Sequence, residues 1–410
     1  MKGFSTNSTE ILRLLENYPL KSYSELAEKI GVSTQTLIRR VKDLESRNII
    51  CTVHSSLNPE SMLLERYIVI FLVSSLNQVS FLELSCDIHP YTSSRNRIFG
   101  SEYGLYAKFD IPVGSYNHFR SFLEMVNNKE YCDRFFIYKS EGNRVFYPQP
   151  YCNNIMDIEE FDLKGYFSKK IKEKDSNIQE KSNLSSSIEY HPIQLLIMRD
   201  ITTNMRTPMS QLLERYKSYL DISEDKEAFY SLPKGFKPHI KDYFTEEKTE
   251  NAIYIDFKKK YHSIINNHVE NYWLDVNWKY LSIFNRFAYV ISGISKNEKS
   301  DIFNLFRNER PPFSVYLEDF GKDLYISVSL PPYYQTQFAY LMKLTYENFS
   351  TYLLDSFGYN AVKYRFYVHN YDIDKQKWRD DGDWMYERVI QDIDNKVSIS
   401  QFRSVSNRVE

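Results

Sequence analysis

The segment STQTLIRRVK (33–42) carries polar and cationic side chains at a spacing that suits one kind of chemistry. Ser33, Thr34, Gln35 and Thr36 offer hydroxyl and amide groups that can exchange hydrogen bonds with base edges. Arg39, Arg40 and Lys42 supply positive charge suited to phosphate oxygens. At about 100° per residue, Leu37, Val41 and Leu44 fall on one stripe of a helix. Gln35, Arg39, Lys42 and Ser46 fall on the opposite face, with Arg40 on the flank.

Such a face works only if other elements hold it out to solvent. Ile11, Leu14 and Leu15 have the i, i+3, i+4 spacing of a first amphipathic helix. Ser22 followed by Glu25 is a capping-box pair that predicts the start of a second helix, with Leu26, Ala27 and Ile30 inward. Gly31 supplies the turn and Ser33 the next cap. A lone charged helix would be read as an ordinary solvated surface. Three helices in this order, the last one basic, read as a helix-turn-helix that binds duplex DNA.

Composition limits the alternatives. The chain has 410 residues, 42% of them hydrophobic, enough for several packed domains. Its net charge of −2 means that any contact with nucleic acid must be local. The N-terminus lacks an apolar signal region, and the longest apolar run, Tyr67 to Val73, is too short to span a bilayer. Cys51, Cys86, Cys132 and Cys152 are scattered without a CxxC pair and read as reduced thiols. A cytoplasmic location and no membrane partner are expected.

Motifs for other chemistry are mostly absent from the sequence. There is no phosphate loop, HExxH or GxSxG motif. YDIDKQKW (371–378) has Lys377 where a calcium loop needs glycine. Asp380, Asp381 and Asp383 read as a polar turn, and His262 and His268 as surface histidines. No metal and no cofactor are expected.

The fold class expected is α+β. After a short wing strand near Ile49 to Val53, a strand at 66–75 leads to a helix near 78–88, a strand pair around 97–109, a helix at 114–127 and a strand at 134–139. That order, βαββαβ, is ferredoxin-like. The last third repeats it: 286–293, 296–308, then FGKDLYISVSLP (320–331) against FGSEYGLYAKFDIP (99–112), a helix over 332–354, and KYRFYVHN (363–370) against DRFFIYKS (133–140). SQLLERYKSYLDIS (210–223) can be laid on SELAEKIGVS (24–33), with the acidic 224–232 in place of the basic helix and 233–275 as an insertion. The expected domains are a winged helix-turn-helix (1–60), a ferredoxin-like unit (61–150), a linker (151–190), a degenerate winged-helix-like domain (191–279), a second ferredoxin-like unit (280–375) and a C-terminal tail (376–410).

The stretch SYSELAEKIGVSTQTLIRRVKDLESRNII, the LNP that follows (57–59) and RIFGSEYGLYAKFDIP together resemble the leucine-responsive regulatory (Lrp/AsnC) family of transcription regulators. The resemblance covers residues 9–140 and, more faintly, 280–370. It implies a winged helix joined to a RAM (ACT-like) domain that forms dimers and binds a small-molecule effector such as an amino acid. Asn48 replaces the usual glycine after the recognition helix and can also take the left-handed conformation. The family's glycine-turn-aspartate signature implies effector contacts at Gly100, and at Gly321 and Asp323 in the second copy; Gly104 stands where the first copy's acid would be. These turn residues also read as plain hairpin chemistry.

The resemblance thus implies a tandem regulator with an intramolecular pair of RAM-like units, one DNA-competent head per chain and a further homodimer for symmetric operators. Siroheme decarboxylases, which resemble the same family, give an enzymatic alternative. In that reading His89, Arg95 and Arg97 would lie near a cleft; otherwise they are exposed loop residues. A protein-interaction scaffold is the third alternative.

Overall fold

The computed structural model describes residues 6–100, 102–147, 161–168, 188–221, 232–233, 235–245, 249–277, 286–355, 361–364 and 366–396. Three helices open the chain: α1 (Thr6–Asn17), α2 (Tyr23–Lys29) and α3 (Thr34–Ser46). Ser22 caps α2 in a full capping box with Glu25, and the Ser33 side chain accepts from the Thr36 amide at the start of α3. Gly31 (φ 65°) and Asn48 (φ 53°) take the left-handed conformations that end α2 and α3. Ile11, Leu14, Leu15, Leu26, Ala27, Leu37, Val41 and Leu44 form the small core of this head.

The next strand, β1 (Ile50–Leu57), leads into the first ferredoxin-like unit: β2 (Leu64–Val73), α4 (Leu76–Ile88), β3 (Thr92–Phe99), β4 (Tyr103–Pro112), α5 (Tyr116–Asn128) and β5 (Arg134–Lys139). The strands are ordered β5-β2-β4-β3 and all antiparallel. β2 is apolar almost throughout because both of its faces are buried. Tyr67, Val69 and Phe71 meet α4 and α5, while Ile68, Ile70 and Leu72 meet the second sheet. Gly104 is forced by this pairing, since a Cβ there would lie 1.8 Å from the Phe71 carbonyl oxygen. The missing acid at this position therefore has a backbone cause.

A short strand, β6 (Arg144–Tyr147), and a helix, α6 (Leu163–Ser168), follow. α6 lies in the stretch expected to be a linker, yet its Leu163 and Tyr166 are buried in the second unit's core. Then come α7 (Pro192–Thr203), α8 (Met209–Ser218), α9 (Phe236–Thr245), the long α10 (Glu250–His268) and β7 (Val269–Val276). Most of the acidic 224–232 lies outside the described residues. Residues 233–275, expected as an insertion, contain α9, α10 and most of β7. α10 and β7 follow one another as α3 and β1 do, and β1 pairs antiparallel with β7, Ile50 opposite Val276 and Leu57 opposite Val269. α7 packs on β1, and α1 packs on β7. α10 carries Lys258, Lys259 and Lys260 against Glu250 and Asp256, so the helix that precedes the second wing strand is not acidic.

The second unit comprises β8 (Arg286–Ser292), α11 (Lys296–Asn308), β9 (Ser314–Phe320), β10 (Asp323–Ser329), α12 (Pro332–Thr345) and β11 (Phe349–Leu354). Its strand order, β11-β8-β10-β9, repeats that of the first. Two expectations change here: α12 ends at Thr345, and β11, not 363–370, is the fourth strand. Residues 361–363 instead form β12 (Ala361–Lys363), which adds to β3 of the first unit.

The two sheets join edge to edge through β3–β11, while β6 adds to the far edge of the second sheet beside β9; the sheets also pack face to face, with Ile70 and Tyr106 on one side and Val290, Tyr316 and Tyr325 on the other. Helices cover the outer faces. A hairpin of β13 (Tyr371–Asp372) and β14 (Lys377–Trp378) precedes a last helix, α13, over 382–396, which opens with a π turn at Asp383–Glu387. The expected tail is thus corrected as far as residue 396: Met385, Val389 and Ile393 are buried in the first unit's core. Among the described residues, no helix is long and apolar enough to cross a membrane.

Candidate nucleic-acid interface and the cavity between the sheets

α3 presents the residues singled out in the sequence. Gln35, Arg39 and Lys42 are exposed, Thr34, Thr36 and Arg40 half-buried. Ser33 Oγ lies 3.1 Å from the Thr36 amide and 2.8 Å from Thr36 Oγ1, so these two side chains also build the cap. Arg39, Arg40 and Lys42 form no ion pair with a described residue, whereas Arg47 answers Asp43 at 3.5 Å. The helix therefore offers cations whose charge is not paired with any described residue.

The turn residues have local duties. Gly100 (φ 144°) ends β3 beside the Thr351 carbonyl, and Gly321 (φ 75°) makes the β9–β10 turn. Asp323 is buried and its Oδ1 accepts from the Gly293 amide at 3.2 Å. Lys299 ties the same turn down by donating to Asp319 at 2.6 Å and to the Gly321 carbonyl. None of Gly100, Gly321 or Asp323 lines the cavity described below.

His89, Arg95 and Arg97 are neither exposed loop residues nor cleft residues, a correction on both counts. His89 is 3% exposed, wedged against Phe109, Phe119 and Phe122, with Nε2 unpartnered. Burial pushes its imidazole down to about 3. Arg95 and Arg97 face α4, where Arg95 bonds Asp87 at 2.8 Å and Glu83 at 2.9 Å, and Arg97 bonds Glu83 at 2.7 Å. His268, read as a surface group, is buried next to Ser61 Oγ at 3.0 Å, and desolvation lowers its pKa to about 4.

Sequence reasoning missed a concave feature assembled from both halves of the chain. A cavity of about 630 Å³ lies between the sheets and touches the β1–β7 ribbon. Arg66, Tyr106, Lys108 and Asp110 come from the first sheet, Arg286, Tyr316, Tyr325 and Ser327 from the second. The ribbon contributes His54 to Leu57, Glu270 and Trp273, and β12 contributes Lys363. Arg66 grips Asp110 through two bonds of 2.7 and 3.1 Å. Burial opposes ionisation of Asp110, but the Arg66 guanidinium outweighs it and holds the carboxyl below its ordinary range. Behind the wall, fully buried Glu318 is likewise held ionised against desolvation by Lys108, Arg66 and Arg144. Desolvation pushes the Lys108 ammonium down to about 7, partly opposed by Glu318. Alternate residues Tyr106, Lys108 and Asp110 of β4 face this space, and that alternation was the signal in sequence.

Residues 5–50 match the winged helix-turn-helix DNA-binding family. The HTH-type transcriptional regulator Ptr1 of Methanocaldococcus jannaschii is 38% identical over 53 residues, which is 13% of this chain and 36% of Ptr1. The chain therefore spans about a third of that relative's length. Among solved structures, the siroheme decarboxylase NirDL has a TM-score of 0.50 at 9% identity, covering 94% of this chain and 98% of that one. Its co-complex with an iron-uroporphyrin III analogue has a TM-score of 0.51 at 10% identity. E. coli AsnC covers 34% of this chain and 93% of its own at 18% identity, with a TM-score of 0.29. At these identities the likeness to NirDL is one of fold. The chain thus carries an N-terminal winged helix-turn-helix DNA-binding domain, similar to that of a transcription regulator, on an α+β fold shared almost end to end with NirDL.

Proposed function

We propose that this protein is a sequence-specific DNA-binding transcription regulator of the Lrp/AsnC type, whose α3 lies in the major groove. Gln35, Thr34 and Thr36 approach base edges, with Ser33 fixing the helix start, while Arg39, Arg40 and Lys42 hold phosphates. The paired ferredoxin-like units serve as an intramolecular RAM-type pair. The observation that carries this reading is the free cationic face of a doubly capped helix-turn-helix. Genome-wide crosslinking of the tagged protein tests it. Discrete promoter peaks sharing one motif support the regulator, and uniform background removes it.

An enzyme is the second reading, favoured by the fold correspondence with the siroheme decarboxylase over 94% of the chain. It cannot use His89, Arg95 and Arg97, which point away from the cavity. Incubation with siroheme, followed by mass spectrometry for loss of carbon dioxide, separates the two readings. Loss of 44 mass units per decarboxylation, at about 1 s⁻¹ or faster, would favour the enzyme.

A further inference from the structure

The cavity between the sheets carries more hydrogen-bond donors than the protein uses. Lys108 Nζ stacks 3.5 Å from the Tyr316 ring centroid and makes no hydrogen bond or ion pair with a described residue. Lys363, exposed at the mouth, lies 4.1 Å over the Trp273 ring and also lacks an ion pair among the described residues. Among the described residues Arg286 donates to Ser314 Oγ, at 3.3 Å. The nearby carboxylates bond other groups: Asp110 bonds Arg66, Glu270 bonds Arg144 at 2.6 Å, Glu318 pairs with Arg144 and accepts from the Tyr316 hydroxyl, and Asp275 lies 3.6 Å from His54. Glu318 acts on Lys108, and Asp275 on Lys363, through charge alone, which leaves both ammonium groups their hydrogen-bond capacity.

Three buried hydroxyls line the same space without a hydrogen-bond partner among the described residues: Thr92 Oγ1, Tyr106 OH and Ser327 Oγ. Tyr106 and Ser327 both neighbour Tyr325, but not at normal hydrogen-bond geometry. Hydroxyls that line a cavity can donate to, or accept from, a group bound there. The remaining wall is apolar and aromatic, with Tyr91, Phe146, Phe366 and Trp378 prominent. A volume of 630 Å³ falls within the range that holds drug-sized ligands.

We propose that this cavity binds a small molecule that joins a flat apolar body to at least two anionic groups. One anion is held between the sheets by Lys108 and Arg286, with the Tyr106 and Ser327 hydroxyls completing its shell. The other is held at the mouth by Lys363, and the body lies on the aromatic wall. Charge-assisted bonds to spare cations supply the selectivity for carboxylate or sulfonate. The bound molecule also touches His54 to Leu57 and Trp273, so it reports to the ribbon that joins the two halves. The site stands independently of the α3 reading.

The probe is naphthalene-1,5-disulfonate, flat and doubly anionic, with the uncharged 1,5-dihydroxynaphthalene as its control, titrated by fluorescence against the full chain. Saturable binding at one site is expected, and Lys108→Met with Lys363→Met weakens the anionic probe at least 10-fold while the neutral one changes less than 2-fold. If Lys108→Met does not fold by near-ultraviolet circular dichroism, Lys363→Met alone, at the exposed mouth, is expected to weaken the anionic probe about 5-fold. The proposal is overturned by equal affinity for the two probes in the native protein, by unsaturable binding, or by folded lysine variants that bind as the native chain does.

Discussion

Replacing Arg39 and Arg40 together with alanine gives the most direct reading of α3. Arg39 is exposed and Arg40 half-buried, neither forms an ion pair among the described residues, and alanine is the better helix former. The fold should therefore survive, with unfolding free energy changed by less than about 0.5 kcal/mol. Each phosphate contact contributes about 0.9 to the slope of log affinity against log salt, so losing two makes the slope shallower by about 1.8. Across a four-fold rise in salt, from about 50 to about 200 mM, that difference amounts to roughly a factor of ten. The double variant should bind duplex DNA much more weakly at low salt and close about ten-fold of the gap at high salt. Fluorescence anisotropy with a labelled duplex at four salt concentrations measures both lines. Parallel lines, or coincident ones, would show that these arginines touch no phosphate.

Other residues give separate tests. Gly104→Ala should cost about 3 kcal/mol, read as a lower denaturation midpoint, because its Cβ meets the Phe71 carbonyl at 1.8 Å. Arg144, whose side chain is 3% exposed, serves Glu60, Glu270 and Glu318. Arg144→Met should therefore destabilise by about 3–5 kcal/mol through the uncompensated carboxylates. Below pH 6.5 the unfolded chain protonates histidines that His89 and His268 keep neutral down to about 3 and about 4. The unfolded state then binds more protons, so stability falls as pH drops through that window, by about 2 kcal/mol per histidine at pH 5. Chemical denaturation at pH 7.5 and 5 should show the loss, and His89→Leu should remove about half of it.

What the sequence disclosed follows the range of the interactions involved. The helix-turn-helix was legible because its signals are local: Ser22 with Glu25, Gly31, Ser33, and a stripe four residues apart. The first ferredoxin-like unit was legible because β2 is a continuous apolar run. α13 was not, since its few buried positions, Met385, Val389 and Ile393, sit among charged neighbours and look like solvated chain. The fourth strand of the second unit was misplaced because FSTYLL (349–354) follows α12 with no glycine or proline between them, while 363–370 shows the stronger strand pattern. The β1–β7 pair joins residues more than two hundred positions apart, and nothing local in either strand names its partner. The cavity was hidden for the same reason, as its wall is assembled from both halves.

The antiparallel ribbon of β1 and β7 changes what dilution does to this molecule. In a regulator assembled from two separate chains, the pairing of heads is lost as concentration falls, and occupancy of a site depends steeply on copy number. Here the partners share one backbone, so their encounter is intramolecular and their pairing persists at any copy number. Covalent linkage also frees each half from mirroring the other. A substitution in one half appears once per assembly, not twice, so residues of β1 and of β7 can change independently without either strand losing its partner.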